Sequence, residues 1–243
     1  MAIIHSTTMS PTKLELLASW LPAQPWYLDQ GREPDLVRAG GFRLDDPDGE
    51  VGIELMVVTD GSGERAVTYL VPMTYRASAL ASADGALIGT AEHGVLGRRW
   101  IYDGVHDPVL VAQLVALIQG GAEPQAQSMS DTPDPTVTSE PVTSGSLTAV
   151  GSAVVNEPSG TALRVETTDA DGVRGGQLVI RVKRILQPDD VAPQVVPAVS
   201  AAPLAPTAPA ASVAEAGQPC LTATWRLPDG TRVRGIMASA QYT

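Results

Sequence analysis

The sequence predicts an α+β fold, in which an antiparallel β-sheet with flanking helices is followed by a small all-β module. Three observations predict it. Apolar residues recur with helical spacing in two short segments. Stretches rich in β-branched residues alternate between apolar and polar side chains around and after those segments. Clusters of Asp, Pro and Gly separate the alternating stretches, as turns between strands require.

Two helices are predicted from their start signals. Ser10-Pro11 and Asp107-Pro108 each place a proline at the first helical position. Pro22 ends the first helix, and Gly120-Gly121 ends the second. The apolar stripes that would face the core are Leu14, Leu17, Ala18 and Leu21 in the first helix, and Leu110, Val111, Leu114, Leu117 and Ile118 in the second.

Ten strands are predicted from the alternating stretches. Five precede the second helix. Phe42–Leu44, Val51–Val58 and Ala66–Val71 form a predicted antiparallel meander, and Leu87–Thr90 and Leu96–Tyr102 are two further strands. Five follow the second helix: Leu147–Val155, Thr161–Thr167, Gln177–Lys183, Leu221–Leu227 and Arg232–Met237. The last two flank Pro228-Asp229-Gly230, which indicates a hairpin.

The distribution of proline divides the chain. Residues 1–121 form the predicted α+β domain, and residues 146–243 form the β module. Between them, residues 122–145 are acidic and rich in Pro, Ser and Thr, a composition that buries too little apolar area to offset chain entropy. We therefore expect a linker there, and a Pro/Ala-rich loop at residues 189–217 that interrupts the β module.

Composition supports a core but argues against several partners. The 243 residues are 44% hydrophobic with one Phe, so the core depends on Val, Leu, Ile and Ala. The net charge is −11 and no basic block interrupts it, so we expect neither nucleic acid nor an anionic membrane as a partner. The longest apolar run, Val109–Ile118, is too short to span a bilayer, and the first residues resemble no signal peptide. We expect a cytoplasmic protein.

The sequence predicts no catalytic residue, metal site or cofactor. Cys220 has no second cysteine to pair with, and the three histidines do not stand at metal-ligand spacing. Neither a phosphate-binding glycine loop nor a nucleophile elbow is present in the 243 residues.

A candidate binding site lies where the fifth predicted strand passes into the second helix. Residues 92–108 combine imidazoles, guanidinium groups, carboxylates and aromatic rings, which are the groups that recognise sugars or phosphates. The candidate ligand-binding residues are Tyr75, His93, Arg98, Arg99, Trp100, Tyr102, Asp103 and His106. Local structure offers another explanation, because a helix cap at Asp107 and a turn at Asp103-Gly104 account for several of the same residue types.

The same segments resemble a known family. Trp20-Leu21 with Gln24–Tyr27, then Tyr69–Arg76, Gly89–His93 and Trp100–Pro108 resemble the N-terminal cap of maltokinases over about residues 10–121. The resemblance implies a curved antiparallel sheet with helices on one side. In full-length maltokinases the cap sits on a two-lobed kinase fold that phosphorylates maltose with ATP and magnesium.

The β module resembles a degenerate kinase N-lobe. Residues 156–163 and 178–186 are similar to that lobe, with Arg181 at the position of the phosphate-pairing lysine, or Lys183 if the register is shifted by two. The catalytic-loop pattern H-G-D-x-x-x-x-N has no counterpart in the 243 residues. Phosphoryl transfer needs a positioned base and metal-held phosphates, so we expect a pseudoenzyme, a stand-alone cap that lacks the kinase C-lobe.

The expected function is binding or regulation without catalysis, with a protein partner from α-glucan (including glycogen), maltose or trehalose metabolism. Two alternatives stay open at this point. One is an accessory or reduced part of an ATP-dependent sugar kinase that needs a separate catalytic lobe. The other is a structural homo-oligomer whose exposed strand edges pair between protomers.

Overall fold

The computed structural model describes residues 9–129, 131–139, 147–169, 171–189 and 219–243, which form a β-rich α+β fold. The two α-helices are α1 (Lys13–Trp20) and α2 (Pro108–Ile118). The strands are β1 (Met9–Ser10), β2 (Leu36–Leu44), β3 (Gly52–Asp60), β4 (Val67–Arg76), β5 (Leu87–His93), β6 (Gly97–Asp103), β7 (Gln125–Ala126), β8 (Thr138–Ser139), β9 (Thr148–Glu157), β10 (Gly160–Thr168), β11 (Arg174–Lys183), β12 (Ile185–Leu186), β13 (Cys220–Arg226) and β14 (Arg232–Tyr242).

All strands belong to one antiparallel sheet. Its order is β1, β5, β6, β4, β3, β2, β13, β14, β11, β10, β9, with β12 added to β4, β7 to β2 and β8 to β13. The ten predicted strands are confirmed, most of them longer than predicted, and the four two-residue strands β1, β7, β8 and β12 were not predicted. Between β13 and β14 the predicted hairpin is confirmed, where Asp229 accepts a hydrogen bond from the Thr231 amide (2.8 Å).

The first helix begins later than predicted. Its N-cap is Thr12, not Ser10, and the helix starts at Lys13. Thr12 and Glu15 form a capping box, in which the Thr12 hydroxyl accepts from the Glu15 amide and the Glu15 carboxylate accepts from the Thr12 amide (2.7 Å). Two amides of the first turn are thereby satisfied, which the proline signal alone could not provide. Ser10 instead belongs to β1, which pairs with β5.

The second helix is confirmed at Asp107, whose side chain accepts from the Val109 amide (2.9 Å). The expectation of helices on one side of the sheet is wrong, because the two helices lie on opposite faces. Leu55 of β3 is in the same core cluster as α2, whereas its neighbour Met56 is in the cluster that contains Leu17 of α1. Since successive residues of a strand face opposite sides, β3 is buried on both faces.

The two halves of the chain share a core. The cluster around α2 contains Leu55 and Phe42 from the first half together with Ile180 and Trp225 from the second. One link between the halves is β2 with β13, where Gly40 pairs with Trp225. A Cβ on Gly40 would lie 3.2 Å from the Trp225 Cβ, so a glycine permits this close approach.

A second pairing of strands between the halves involves β12. This strand follows β11 after a single residue and pairs with β4, where Ile185 lies opposite Tyr69. The chain therefore returns from the second half to the first, and the junction is a buried residue, Arg184.

The segment expected to be a linker is in contact with the sheet where it is described. β7 pairs with β2 and β8 pairs with β13, and both Gln125 and Val137 are buried. Because the composition of the segment is polar as a whole, it did not indicate that these two residues are buried. Residue 130, residues 140–146 and nearly all of the predicted loop at 189–217 lie outside the described residues. Neither helix of the described chain has the length and apolar character to cross a membrane.

Candidate functional site

Strand alternation divides the candidate residues on β6 between two faces. Arg98, Trp100 and Tyr102 share one face, and Arg99 and Asp103 share the other. Arg98 and Asp103 are five residues apart along an extended strand, which corresponds to about 17 Å. The residues that the sequence brings together therefore do not converge on one small group, and each face must be considered separately.

The Arg98 face presents an exposed cation on an aromatic ring. The Arg98 guanidinium lies 5.3 Å from the Trp100 ring centroid, a cation–π geometry. Arg98 is exposed and Trp100 is half-buried. Tyr102 has a different role on this face, because it is fully buried and its hydroxyl accepts a hydrogen bond from the Leu80 amide (2.8 Å). Tyr102 thus anchors the loop after β4, and Arg98 with Trp100 remain as the accessible pair.

On the opposite face, Asp103 is buried and held by Arg184. The Arg184 Nη2 donates to both carboxylate oxygens of Asp103, at 2.9 and 2.7 Å. Its Nε donates to the Thr161 hydroxyl (2.8 Å), and its guanidinium lies 4.9 Å from the Trp26 ring centroid. One side chain from the second half thereby contacts β6, β10 and the ring of Trp26, and Asp103 is engaged as a structural counter-ion.

Sequence reasoning missed Arg184, although a signal was present. Leu178, Ile180 and Val182 stand at every second position of β11 and are buried. Arg184 is the next residue in this series of inward-facing positions, and it carries a charge. A charge at an inward position needs a buried partner. The resemblance to a kinase N-lobe indicated Arg181 and Lys183 instead.

Arg181 and Lys183 are both exposed on the outward parity of β11. The Arg181 Nε lies 3.8 Å from a Glu157 carboxylate oxygen, in an ion pair that is solvent-accessible on both sides. The degenerate phosphate-pairing role assigned to Arg181 or Lys183 stays a prediction.

A second buried ion pair fixes the start of α2. Arg76 donates from Nε and Nη2 to the two oxygens of Asp107, both at 2.7 Å, in the bidentate geometry that suits a guanidinium. Burial opposes ionisation of Asp107, but the hydrogen bonds from Arg76 and the Val109 amide outweigh it and hold the pKa of Asp107 below its ordinary value. This carboxylate is therefore ionised and fully engaged near neutral pH.

Tyr75 belongs to a third buried network. Its hydroxyl donates to the Glu54 carboxylate (2.6 Å), which also accepts from Lys13 (2.5 Å) and Gln127 (2.6 Å). Burial, followed by the Glu54 charge, raises the pKa of Tyr75 well above its ordinary value. Burial of Glu54 is outweighed by Lys13 and the hydrogen bonds, so the pKa of Glu54 is lowered. The network connects α1, β3, β4 and the segment after β7.

The other candidates order their own surroundings. The His93 Nδ1 accepts from the Leu96 amide (3.1 Å), and the Arg99 Nη2 donates to the Leu96 carbonyl (2.9 Å). Both contacts stabilise the turn between β5 and β6. His106 is exposed in the short 3-10 helix before α2. These positions lie on or near β6.

Every buried carboxylate of the described chain has a structural partner. Asp103, Asp107 and Glu54 are paired with cations as above. The Asp46 side chain accepts from the Glu50 and Val51 amides, and Asp60 accepts from the Tyr27 hydroxyl and forms an ion pair with Arg32. Within the described residues no group of three or more His, Cys, Asp or Glu side chains is placed to hold a metal ion.

These observations define a β-rich α+β fold in which Arg98 and Trp100 of β6 are accessible to solvent. Residues 20–107 match the family model of the maltokinase N-terminal cap domain. The match covers β2 to β6 and the candidate site, so the resemblance inferred from the sequence is confirmed over this part of the chain. A search of curated proteins finds no match.

Proposed function

We propose that this protein acts by binding, without catalysis, in maltose or trehalose metabolism. The family match over residues 20–107 supports the metabolic assignment. The state of the carboxylates supports a role without catalysis, because a general base must be free to take a proton. Asp103 and Asp107, the two acidic residues of the candidate site that are buried, are each held by an arginine at 2.7 Å.

The recognition surface in this proposal is the exposed Arg98 with Trp100. Aromatic faces and guanidinium groups are common anchors of binding surfaces, for sugars and for proteins alike. The Arg98 side chain has one weak polar contact in the described chain, to the Thr90 hydroxyl (3.4 Å). The guanidinium donors of Arg98 are therefore available for a ligand, and the Trp100 ring packs against the guanidinium.

Two measurements on the purified protein test the proposal. With ATP, magnesium and maltose or trehalose, we expect no sugar-dependent release of ADP. In calorimetric titration with the same sugars or short α-glucans, we expect binding that Trp100→Ala weakens and that Val95→Ala, at an exposed position in the neighbouring turn, leaves unchanged. Sugar-dependent ADP release would overturn the non-catalytic assignment, and equal affinities of the two variants would overturn the surface.

A second candidate function is assembly of a homo-oligomer, which the last strand of the sheet favours. β9 pairs with β10 on one side, and no described strand covers its other side. Its ten residues carry one charge, Glu157, and expose Val150 and Val155. An unprotected edge of this length can pair with the same edge of a second copy about a two-fold axis. The opposite end of the sheet is closed by β1, which has only two residues.

A further inference from the structure

A groove lies beside the link between β2 and β13. We call it the seam groove and define it by Gly40, Gly41, Thr136, Thr224, Arg226 and Arg232. The two strands pair only at Gly40 and Trp225, and the space beside this pair has a volume of about 220 Å³. It lies on elements separate from the Arg98 surface of β6.

The seam groove brings two like charges together. Arg226 and Arg232 are directly opposite each other in the β13–β14 hairpin, where side chains lie about 5 Å apart at Cβ. Both are exposed, and in the described parts of the chain neither has an ion pair. Arg226 makes one long hydrogen bond, to the Gly230 carbonyl (3.4 Å). Opposed like charges destabilise a hairpin, so this pair requires an explanation.

Asp134, the carboxylate among the residues that line the groove, forms no ion pair with Arg226 or Arg232 in the described chain. Its Oδ1 accepts from the Thr136 amide (2.9 Å) and hydroxyl (2.7 Å), which hold this side chain in its own turn. Arg234, next on the same face, adds a third positive charge and is held by the Thr222 hydroxyl (2.5 Å) and the Thr136 carbonyl (3.3 Å). Three arginines on one face stand out in a chain with a net charge of −11.

A phosphate group fits this arrangement. It carries close to two negative charges at neutral pH and presents oxygens in several directions, so two guanidinium forks can bind it together. The Thr224 hydroxyl lines the same groove and adds a neutral donor. We propose that the seam groove binds the phosphate group of a small phosphorylated metabolite. The negative charge of the phosphate offsets the repulsion between Arg226 and Arg232 because both guanidinium groups attract it. This site does not depend on the function proposed above.

Calorimetric titration of the full chain with glucose 1-phosphate, inorganic phosphate and glucose tests this site. We expect glucose 1-phosphate to bind, glucose not to bind, and Arg232→Ala to weaken the binding about tenfold or more, since hydrogen bonds to charged groups are the strong ones. Arg226→Gln should act in the same way. Arg164→Ala is the matched control, because Arg164 is exposed on β10 and outside the groove.

The thermal midpoint without ligand gives a second readout. Arg232→Ala removes the like-charge contact, so we expect a midpoint equal to or above that of the parent protein, together with the loss of binding. Binding of inorganic phosphate alone would overturn the assignment to an organic phosphate. The absence of phosphate binding, equal binding of glucose, or equal weakening in Arg164→Ala would overturn the site.

Discussion

Arg184 connects the two halves of the chain through its side chain and its backbone. It is fully buried, it pairs with Asp103 of β6, and it stacks on Trp26 beside α1. Its own backbone carbonyl accepts from the Leu70 amide of β4 (2.9 Å). Removal of one member of a buried ion pair leaves the other charge without compensation, which is costly in a region that excludes water.

We expect Arg184→Ala to lower the free energy of unfolding by about 3–5 kcal/mol. The matched control is Arg181→Ala on the outward parity of the same strand, where the exposed pair with Glu157 contributes less than about 1 kcal/mol. Urea denaturation of the two variants and the parent protein measures both effects. Equal losses in Arg184→Ala and Arg181→Ala would contradict the structural role of Arg184.

The Glu54 network predicts how stability depends on pH. The pKa of Glu54 is lower in the folded chain than its ordinary value of 4.5, so the ionised carboxylate stabilises the fold above that pH. This contribution is lost as the pH falls from 4.5 through the folded pKa. Glu54→Gln should cost about 2 kcal/mol at pH 7 and should reduce the fall in stability below pH 4.5.

Denaturation at a series of pH values checks this expectation, with the exposed Glu123→Gln as the control. If stability falls as steeply below pH 4.5 in Glu54→Gln as in the parent protein, other carboxylates determine the loss of stability in acid. Asp107, whose pKa is also lowered, is the group to substitute next in that event.

At the scale of elements, the exposed edge of β9 leads to a prediction about dimer formation. A lysine on a strand edge opposes pairing with another strand because its charge would be desolvated. If the parent protein is an edge-paired dimer, Val150→Lys should convert it to a monomer, as measured by light scattering. Val173→Lys, at an exposed position before β11, is the control and should leave the dimer intact. A parent protein that is monomeric at all concentrations would exclude this assembly.

Local sequence patterns predicted which segments form helices and strands better than they predicted which strands pair with each other. The Asp107 cap, the Pro228–Gly230 turn and the ten longer strands follow from residues within a few positions of each other. The pairing of β12 with β4 joins residues more than one hundred positions apart, and no local periodicity contains that information. The candidate residues do not lie together for a related reason. Strand alternation places Asp103 and Arg98 on opposite faces of β6, and the partner of Asp103, Arg184, lies 81 positions away in the sequence.

At the scale of the whole molecule, the sheet and its core do not stop at the boundary suggested by composition. The cluster around α2 includes side chains from β3 and from β11, and β12 adds a strand of the second half to β4 of the first. The cap segment, residues 20–107, is therefore packed against the rest of the chain. We infer that the described chain unfolds as one cooperative unit, with Arg184 at its junction.

Differential scanning calorimetry of the parent protein and of Arg184→Ala tests this inference most directly. The account predicts a single transition in the parent protein, with equal calorimetric and van't Hoff enthalpies, and one transition at a lower temperature in the variant. Two transitions in the parent protein, with the effect of Arg184→Ala confined to one of them, would contradict it.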